Sequence, residues 1–301
     1  MSPKNIVLLV IAAGIVVLAA LLLLTRPVPV TETEIVPEPE VTIEAPAPAY
    51  TQETIGTSVE GRVIESYSFG TGEQELLFVG GIHGGYEWNS VMLAYQFIDM
   101  FIARPDLIPE KLTVRIIPSL NPDAVAKVTG KTGRFTQADI LPGVDQSTAR
   151  FNANDVDLNR NFDCKWQSTS SWRGATVSAG TAAFSEPEAV ALRDYVMLHQ
   201  PNMVAFWHSQ ADNVYASECE NGVLPETLEV MQTYADASGY GAVASFDAYP
   251  VTGDAEGWLA SIGIPAVTVE LSSHEAIEFE QNRAGVMALF ELYTVDTGLG
   301  L

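Results

Sequence analysis

Four side chains that can bind a metal ion stand in the segments that follow short apolar runs of the sequence. They are His83, Glu87, His208 and Glu270. Imidazole and carboxylate groups are, with thiolates, the protein ligands of Zn²⁺, and three such ligands with a water make a hydrolytic site. A loop histidine is by itself more often a simple hydrogen-bonding residue, but the chain has four histidines and two of them occur here. The four positions together predict a hydrolytic metal site.

A second polar region carries arginine and asparagine in an otherwise apolar chain. It comprises Asn121-Pro122-Asp123 and the segment from Arg150 to Asp163, which contains Asp157-Leu158-Asn159-Arg160-Asn161. The planar guanidinium of arginine suits bidentate recognition of a carboxylate. Beside a metal site, this composition predicts a pocket for a substrate carboxylate. The alternative is an asparagine-rich loop that only faces solvent.

The apolar runs before these residues have the pattern of buried strands that alternate with helices. The predicted strands are 76–79, 112–117, 203–207 and 266–269. The predicted helices are 89–103, 224–238 and one that follows a capping box at 185–188 and reaches about residue 199. Strands that are apolar on both faces belong to sheets covered by helices, where ligands bind beyond the carboxyl ends of the strands. The sequence thus predicts an α/β fold: a single domain with a mixed, mostly parallel central β-sheet flanked by helices.

The first 55 residues differ in composition from the rest. Residues 6–24 are an unbroken run of 19 apolar or small residues, which as a helix spans ~28 Å, about one hydrocarbon core. No A-x-A-like cleavage site follows this run. We therefore favour an uncleaved transmembrane anchor, formed by residues 1–26, rather than a cleaved signal peptide. Residues 27–55 hold six prolines and six glutamates, which predicts an extended linker. We expect the remaining domain, 56–301, to lie on the extracytoplasmic side of the membrane.

Charge and composition exclude two classes of protein. The chain has 301 residues, of which 38 are acidic and 15 basic, and a formal net charge of −23; residues 56–301 alone carry −19. A hydrophobic fraction of 47% excludes wholesale disorder, which requires low hydrophobicity together with high charge. A nucleic-acid-binding protein needs clustered lysine and arginine, which an acidic chain of this kind does not offer. The acidic surface instead favours cationic partners, through fields that salt screens within about 8–10 Å.

The polar residues and their order resemble the zinc metallocarboxypeptidases of the carboxypeptidase A and B type. The resemblance runs from about Gly56 to about Thr297. It rests on five spaced motifs: His83…Glu87, Asn121-Pro-Asp, Asp157-Leu-Asn-Arg-Asn-Phe, His208-Ser and Val269-Glu-Leu. It implies the carboxypeptidase variant of the α/β fold, one bound Zn²⁺ ion and a bacterial, membrane-anchored member of that family.

By position, the resemblance implies a role for each of eight residues. His83, Glu87 and His208 would bind zinc, Glu270 would be the general base, Arg150 would stabilise the oxyanion, Asn159 and Arg160 would bind the terminal carboxylate, and Tyr249 would contact the substrate. Arg134 is the alternative to Arg150. The family usually has two residues between its first two ligands, whereas three separate His83 from Glu87. We expect the glycines between them to absorb the extra residue in a bulge, because glycine tolerates positive φ.

Two acidic residues and two cysteines fall near the expected pocket. In the loop after Tyr249, the specificity position of the family corresponds to Glu256, with Asp254 close by. An acid there favours a lysine, arginine or diaminopimelate side chain in the substrate, unless both acids face solvent. Cys164 and Cys219 are the only cysteines. Outside the cytoplasm we expect a disulfide between them, with two reduced thiols as the alternative.

These observations predict a zinc-dependent metallocarboxypeptidase that hydrolyses the C-terminal peptide bond of peptides with a metal-activated water. One alternative is a zinc amide hydrolase that acts on peptidoglycan stem peptides or acylated amino acids. A second alternative is a non-catalytic cell-surface binding module. The expected partners are a peptide or peptidoglycan-peptide substrate and, through the anchor, the membrane; we expect no nucleic acid, and a monomer.

Overall fold

The structure is a computed structural model that describes residues 2–25, 50–247 and 249–295. The chain divides into two units, Met1–Pro46 and Ala47–Leu301. In the first unit the described residues form one helix, α1 (Pro3–Leu24). An 18-residue window of this helix has a mean hydropathy of 3.3 and none of the helix is buried, so its length and composition suit a membrane span. A signal sequence has the same properties, so anchoring and orientation stay predictions, and residues 27–49 of the predicted linker lie outside the described residues.

The second unit consists of strands and helices that we number in chain order. The strands are β1 (Tyr50–Thr57), β2 (Val63–Gly70), β3 (Gln74–Val79), β4 (Leu112–Ile117), β5 (Thr169–Trp172), β6 (Ala175–Ser178), β7 (Met203–Ser209), β8 (Asn213–Ala216), β9 (Glu218–Cys219), β10 (Gly222–Val223), β11 (Gly241–Val243) and β12 (Ala266–Leu271). The helices are α2 (Trp88–Ala103), α3 (Pro122–Thr129), α4 (Pro187–His199), α5 (Pro225–Ser238), α6 (Ala255–Ser261) and α7 (Phe279–Thr294). The strands and helices predicted from the sequence are all present among these.

Eight strands form one sheet in the order β1-β2-β4-β3-β7-β12-β8-β11. Its centre is parallel, because β3 pairs in parallel with β4 and β7, and β7 pairs in parallel with β12. The pairs β1–β2, β2–β4 and β8–β12 are antiparallel. The predicted fold class, a mixed and mostly parallel sheet with flanking helices, is confirmed.

The period-2 alternation of the central strands divides the core between the two faces of the sheet. In β3, Leu76 and Phe78 belong to the core that α2, α5 and α7 cover, whereas Leu77 and Val79 belong to the core beside α4 and α6. In β7, Phe206 belongs to the second core, and two residues further along a strand point to the same face. The same alternation therefore directs side chains at the ends of β7 and β12 towards α6.

The sheet begins earlier than the predicted domain boundary at residue 56. Tyr50 pairs with Phe69 of β2, and the pairing continues to Thr57. Gly56 allows α4 to pack closely on β1, because a Cβ at this position would lie 2.5 Å from the Cβ of Ala191. Residues 50–55 therefore belong to the domain and not to the linker. Their polar composition reflects the position of β1 at the edge of the sheet, where most of its side chains are exposed.

The capping box predicted at 185–188 does not form. Glu186 is the N-cap of α4 and its side chain makes no capping hydrogen bond. Ser185 Oγ donates instead to Glu186 Oε1 over 2.8 Å. Glu188 Oε1 accepts a hydrogen bond from the backbone amide of Val59 over 3.0 Å. The local pattern predicts that the Glu188 carboxylate caps the helix, but the β1–β2 connection binds this carboxylate instead.

Candidate active site

Three neighbouring parallel strands bring the predicted ligands and base to one edge of the sheet. His83 lies in the turn after β3, His208 lies near the end of β7, and Glu270 lies near the end of β12. Glu270 is the direct register partner of His208 across the β7–β12 pair. Since all three strands run in the same direction, their carboxyl ends meet at this edge, as expected for a ligand site of an α/β sheet.

His83, Glu87 and His208 are buried, and their donor atoms converge within 4.8 Å of one another. His83 Nδ1 lies 2.8 Å from Glu87 Oε1, and His208 Nδ1 lies 2.9 Å from Glu87 Oε2. The two Nδ1 atoms are 3.1 Å apart. Two imidazole nitrogens this close need a proton or a cation between them. Two histidines and one carboxylate match the donor set of a catalytic zinc site, so the cluster fits one metal ion.

Glycine permits the three-residue spacing between His83 and Glu87. Gly84 has a positive φ of 48°, which L-residues with a Cβ rarely adopt. A Cβ on Gly84 would lie 2.3 Å from the Cβ of Ala124, and one on Gly85 would lie 2.4 Å from Cγ2 of Val128. The turn therefore runs against α3 where side chains do not fit. This path brings Glu87 to the N-cap of α2, from which its carboxylate faces both histidines.

The outer nitrogens of both histidines face buried carboxylates. His83 Nε2 lies 3.4 Å from Asp157 Oδ1, and His208 Nε2 lies 3.2 Å from Glu256 Oε1. Such partners fix ring orientation and raise ligand basicity in metal sites. Thr268 Oγ1 donates to the same Glu256 oxygen over 2.9 Å. The sequence assigned no role to Asp157, although it stands in the Asp-Leu-Asn-Arg motif.

The charges within the cluster shift its protonation equilibria. Although burial opposes it, the charges of His83 and His208 lower the pKa of Glu87. Although burial opposes it too, Glu87 and Glu256 raise the pKa of His208 to about 10. Burial and the Glu87 charge raise the pKa of Glu270 to about 8. Glu270 is thus the carboxyl group here that protonates most readily, which suits a residue that exchanges protons.

Arg150 is buried against the metal-binding cluster. Its Nε donates to Asp157 Oδ2 over 2.9 Å, its Nη1 lies 3.6 Å from Glu87 Oε1, and its guanidinium lies 4.8 Å from the ring of Trp172. Arg134, the alternative from the sequence, lies on the surface. It pairs there with Asp99 over 2.8 Å and does not line the cavity.

Asn159 and Arg160 connect the polar segment to the loop before α6. Asn159 Oδ1 accepts a hydrogen bond from the amide of Ala255 over 2.8 Å. Arg160 is buried, and its Nη1 donates to the backbone oxygen of Asn159. Its Nε has no hydrogen-bond partner among the described residues. A buried guanidinium that is incompletely satisfied is suited to receive an anion.

All eight residues to which the resemblance gives a role line one cavity of about 660 Å³. Tyr249 stands at its exposed rim, where its ring packs edge-on against Phe246 at 4.8 Å. Tyr86, Trp172 and His274 line the cavity as well, and no pattern in the sequence singled them out. They form a continuous aromatic wall, since Tyr86 lies 5.2 Å from Trp172 and 4.4 Å from His274 between ring centroids.

A disulfide braces two segments beside the cavity. Cys164 and Cys219 are bonded, with their Cα atoms 6.1 Å apart. Cys164 lies at the cavity wall, and its carbonyl accepts a hydrogen bond from the amide of Gly253 over 2.7 Å. The bridge thus joins the polar segment to the β9 region.

The Asn121-Pro122-Asp123 motif acts at a distance from the cavity. Asn121 caps α3 by accepting a hydrogen bond from the amide of Ala124 over 3.2 Å. Asp123 accepts a hydrogen bond from Ser58 Oγ over 2.6 Å and pairs with Arg62 over 2.7 Å. Its role among the described residues is to fix the β1–β2 connection to α3.

An α/β domain with a His–Glu–His cluster and a neighbouring carboxylate at the strand ends has the architecture of a metal-dependent hydrolase. The chain belongs to the zinc carboxypeptidase family, whose family model matches residues 42–285. It is therefore a zinc metallopeptidase by family.

Three relatives illustrate the range of the family. The chain is 25% identical over 240 residues to gamma-D-glutamyl-L-diamino acid endopeptidase 1 of Lysinibacillus sphaericus, covering 73% of this chain and 60% of that protein. It is 29% identical over 243 residues to carboxypeptidase B of Helicoverpa zea, covering 71% of this chain and 56% of that protein. The chain thus spans less than two thirds of either relative. The fold is similar to that of murein-tripeptide amidase from Escherichia coli O157, with a TM-score of 0.57, 22% identity and coverage of 81% of this chain and 92% of that one.

Proposed function

We propose that the protein is a zinc-dependent metallocarboxypeptidase that hydrolyses the C-terminal peptide bond of its substrate. The observation that carries this proposal is Arg160. It is a buried arginine without a carboxylate partner among the described residues, and it lines the same cavity as the His–Glu–His cluster. A fixed carboxylate receptor beside a hydrolytic centre selects the terminal peptide bond, because only the last residue offers a free α-carboxylate there.

Five polar residues of the cavity have a part in the chemical step. Bound Zn²⁺ supplies an activated water and polarises the scissile carbonyl; His83, Glu87 and His208 would hold it. Glu270 accepts the proton of the attacking water and donates a proton to the leaving amine. Arg150 stabilises the developing oxyanion, to which its guanidinium offers charge-assisted hydrogen bonds.

The substrate-binding residues complete the assignment. Arg160 and Asn159 bind the α-carboxylate, and Tyr249 closes over the bound residue from the rim. Glu256 favours a lysine, arginine or diaminopimelate side chain in the last residue, because it brings a buried negative charge to the cavity wall.

A second candidate is a zinc amide hydrolase that acts on peptidoglycan stem peptides. The names of two relatives, an endopeptidase for gamma-D-glutamyl-L-diamino acid bonds and a murein-tripeptide amidase, favour it. The two candidates differ in their dependence on Arg160, which matters only where the substrate has a free α-carboxylate next to the cleaved bond. A non-catalytic binding module is disfavoured, because such a module has no chemical use for Glu270 beside the cluster.

One experiment separates these candidates. The full-length protein is assayed for zinc content and for cleavage of peptides that end in Lys, Arg, Phe, Glu or diaminopimelate, each with a free or an amidated C-terminus. A carboxypeptidase cleaves only the free form, and Arg160→Ala removes that activity. Equal cleavage of free and amidated peptides contradicts the carboxypeptidase, and absence of both zinc and cleavage supports the binding module.

We also place the catalytic domain on the extracytoplasmic side, as a monomer held by α1. The apolar length of α1 and the disulfide support this location, since disulfides persist in oxidising compartments. Protease added to intact cells should digest the domain in that case, whereas protection from protease contradicts the proposed topology.

A further inference from the structure

Two arginines have no carboxylate partner among the described residues, and both line the active-site cavity. Seven of the nine described arginines have a carboxylate oxygen within 2.9 Å. Arg160 and Arg173 have none among the described residues, although acidic residues outnumber basic ones by 38 to 15 in the chain. In so acidic a protein, a guanidinium without a partner is the exception. Arg160 has a proposed use, and Arg173 has none.

Arg173 stands where the turn chemistry favours a different residue. It forms with Gly174 the two-residue turn between β5 and β6, where Trp172 pairs with Ala175. Both turn residues have positive φ, 51° for Arg173 and 78° for Gly174. Asn-Gly and Asp-Gly are the sequences that favour such a turn, because asparagine and aspartate tolerate positive φ better than other residues with a Cβ. The local backbone therefore gives no reason for arginine.

The hairpin that carries Arg173 is fixed against the catalytic residues. Trp172 packs edge-on against Tyr86 and lies under the guanidinium of Arg150. The amide of Asp157 donates to the carbonyl of Ser178 in β6 over 3.0 Å. Arg173 itself is exposed, with its guanidinium 5.7 Å from the Trp172 ring centroid. The hairpin thus presents an exposed cation at the mouth of the cavity.

Arg160 and Arg173 lie at different depths of the same cavity, because Arg160 is buried and Arg173 is exposed. From Arg173, contacts lead through Trp172 and Tyr86 to the turn that carries Glu87 in the metal-binding cluster. A substrate whose terminal carboxylate lies at buried Arg160 and whose scissile bond lies at the cluster extends outwards with its acyl side, towards the mouth of the cavity where Arg173 lies.

We infer that Arg173 is a second carboxylate-binding residue, which receives an acidic group on the residue that precedes the hydrolysed bond. This inference rests on the proposed function. Two substrate chemistries supply such a group: the side chain of an α-linked glutamate or aspartate, and the free α-carboxylate of a γ-linked glutamate. Together with the preference proposed for Glu256, the preferred substrate has an acidic residue followed by a terminal cationic one.

Matched peptides and a turn-compatible variant test this inference. The substrates are two pairs that end in lysine: α-linked Glu-Lys with α-linked Gln-Lys, and γ-linked Glu-Lys with its α-amide. The protein is the full-length chain with zinc, and the variant is Arg173→Asn, which the turn favours and which should fold at least as well. We expect the ratio of kcat/KM between the acidic and the neutral peptide to fall about tenfold in this variant for at least one linkage, the scale of one charge-assisted hydrogen bond.

Two control variants decide the cause. Arg193→Asn removes an exposed arginine of α4 that pairs with Asp194, and it should keep the wild-type ratio. Lys165→Asn removes the other exposed cation of the cavity mouth. A fall in the ratio for Lys165→Asn as large as for Arg173→Asn overturns the inference, because the general field would then supply the preference. An unchanged ratio in Arg173→Asn for both linkages overturns it as well.

A binding measurement separates this inference from the proposed function. Calorimetric titration of the same peptides into Glu270→Ala, with and without Arg173→Asn, gives the ratio of Kd values without turnover. Loss of the acidic preference on Arg173→Asn supports the inference even if the wild-type protein cleaves none of the peptides. Equal ratios in the two backgrounds overturn it even if the wild-type protein is an active carboxypeptidase.

Discussion

Asp157 connects the metal site to the arginine that we assign to the oxyanion, and its replacement by asparagine tests this connection. Asp157 is fully buried, lies 3.4 Å from His83 Nε2 and accepts a hydrogen bond from Arg150 Nε over 2.9 Å. Although burial opposes it, Arg150 lowers the pKa of Asp157, so the carboxylate is charged at neutral pH. Asparagine keeps the size but leaves Arg150 buried without its counter-charge.

The size of the effect follows from these contacts. Removing one partner of a buried ion pair costs about 3–5 kcal/mol. The amide oxygen can still accept one hydrogen bond, so we expect a loss of about 3 kcal/mol, which for a domain of this size is about 6–12 °C in Tm. Loss of the carboxylate behind a ligating histidine lowers metal affinity about 10–100-fold. We therefore expect the Asp157→Asn protein to be less stable and to bind zinc more weakly.

Two measurements check this expectation. Calorimetric unfolding gives Tm with and without zinc, and competition with a chromogenic chelator gives zinc affinity. Asp163→Asn is the matched control, because Asp163 is an exposed carboxylate of the same segment. If Asp157→Asn matches wild type in both measurements, then Asp157 neither orients His83 nor balances Arg150. A loss of stability with unchanged zinc affinity would show that Asp157 balances the charge of Arg150 but does not orient His83.

Three further predictions concern the same site. Glu270→Ala should keep its zinc and lose about 10²–10⁴-fold in kcat, the usual contribution of a general base; wild-type turnover would eliminate Glu270 from the mechanism. Chelation should lower Tm and added zinc should restore it, because zinc at a thousandfold excess over its Kd stabilises the folded protein by about 4 kcal/mol; a Tm that does not change with chelator would contradict the metal site. The double replacement of Cys164 and Cys219 by serine opens a loop with a sequence separation of 55 and should cost about 4 kcal/mol, whereas an unchanged denaturation midpoint would show that the bridge does not stabilise the domain.

The catalytic edge of the sheet could be predicted because its signals are local in the sequence. Each of β3, β7 and β12 is a short apolar run, and a polar residue follows or ends it. Parallel strands align their carboxyl ends, so His83, His208 and Glu270 needed no long-range information to be placed together. The resemblance to the zinc carboxypeptidases then supplied the separate roles of Glu87, Arg150 and Arg160, which no pattern of strands or helices identifies.

The residues behind and around the ligands could not be predicted in this way. Asp157 contacts His83 across 74 positions of sequence, and Glu256 contacts His208 across 48. Trp172 ends a strand of polar residues, Thr169-Ser170-Ser171-Trp172, which has no apolar alternation to mark it. The start of β1 was missed for the same reason, because its partner strand and the packing of α4 define it and its own composition does not.

Under the proposed function, Glu256 would couple substrate preference to metal binding in this site. From the sequence it was a specificity residue that would attract a cationic side chain. In the structure its carboxylate also faces the outer nitrogen of His208, at 3.2 Å, and accepts a hydrogen bond from Thr268. A substrate cation that approaches Glu256 draws on the same negative charge that orients His208. Because one carboxylate makes both contacts, a cationic terminal residue bound at Glu256 would change the electrostatic field at His208. Displacement of His208 would in turn change the attraction of Glu256 for that cation.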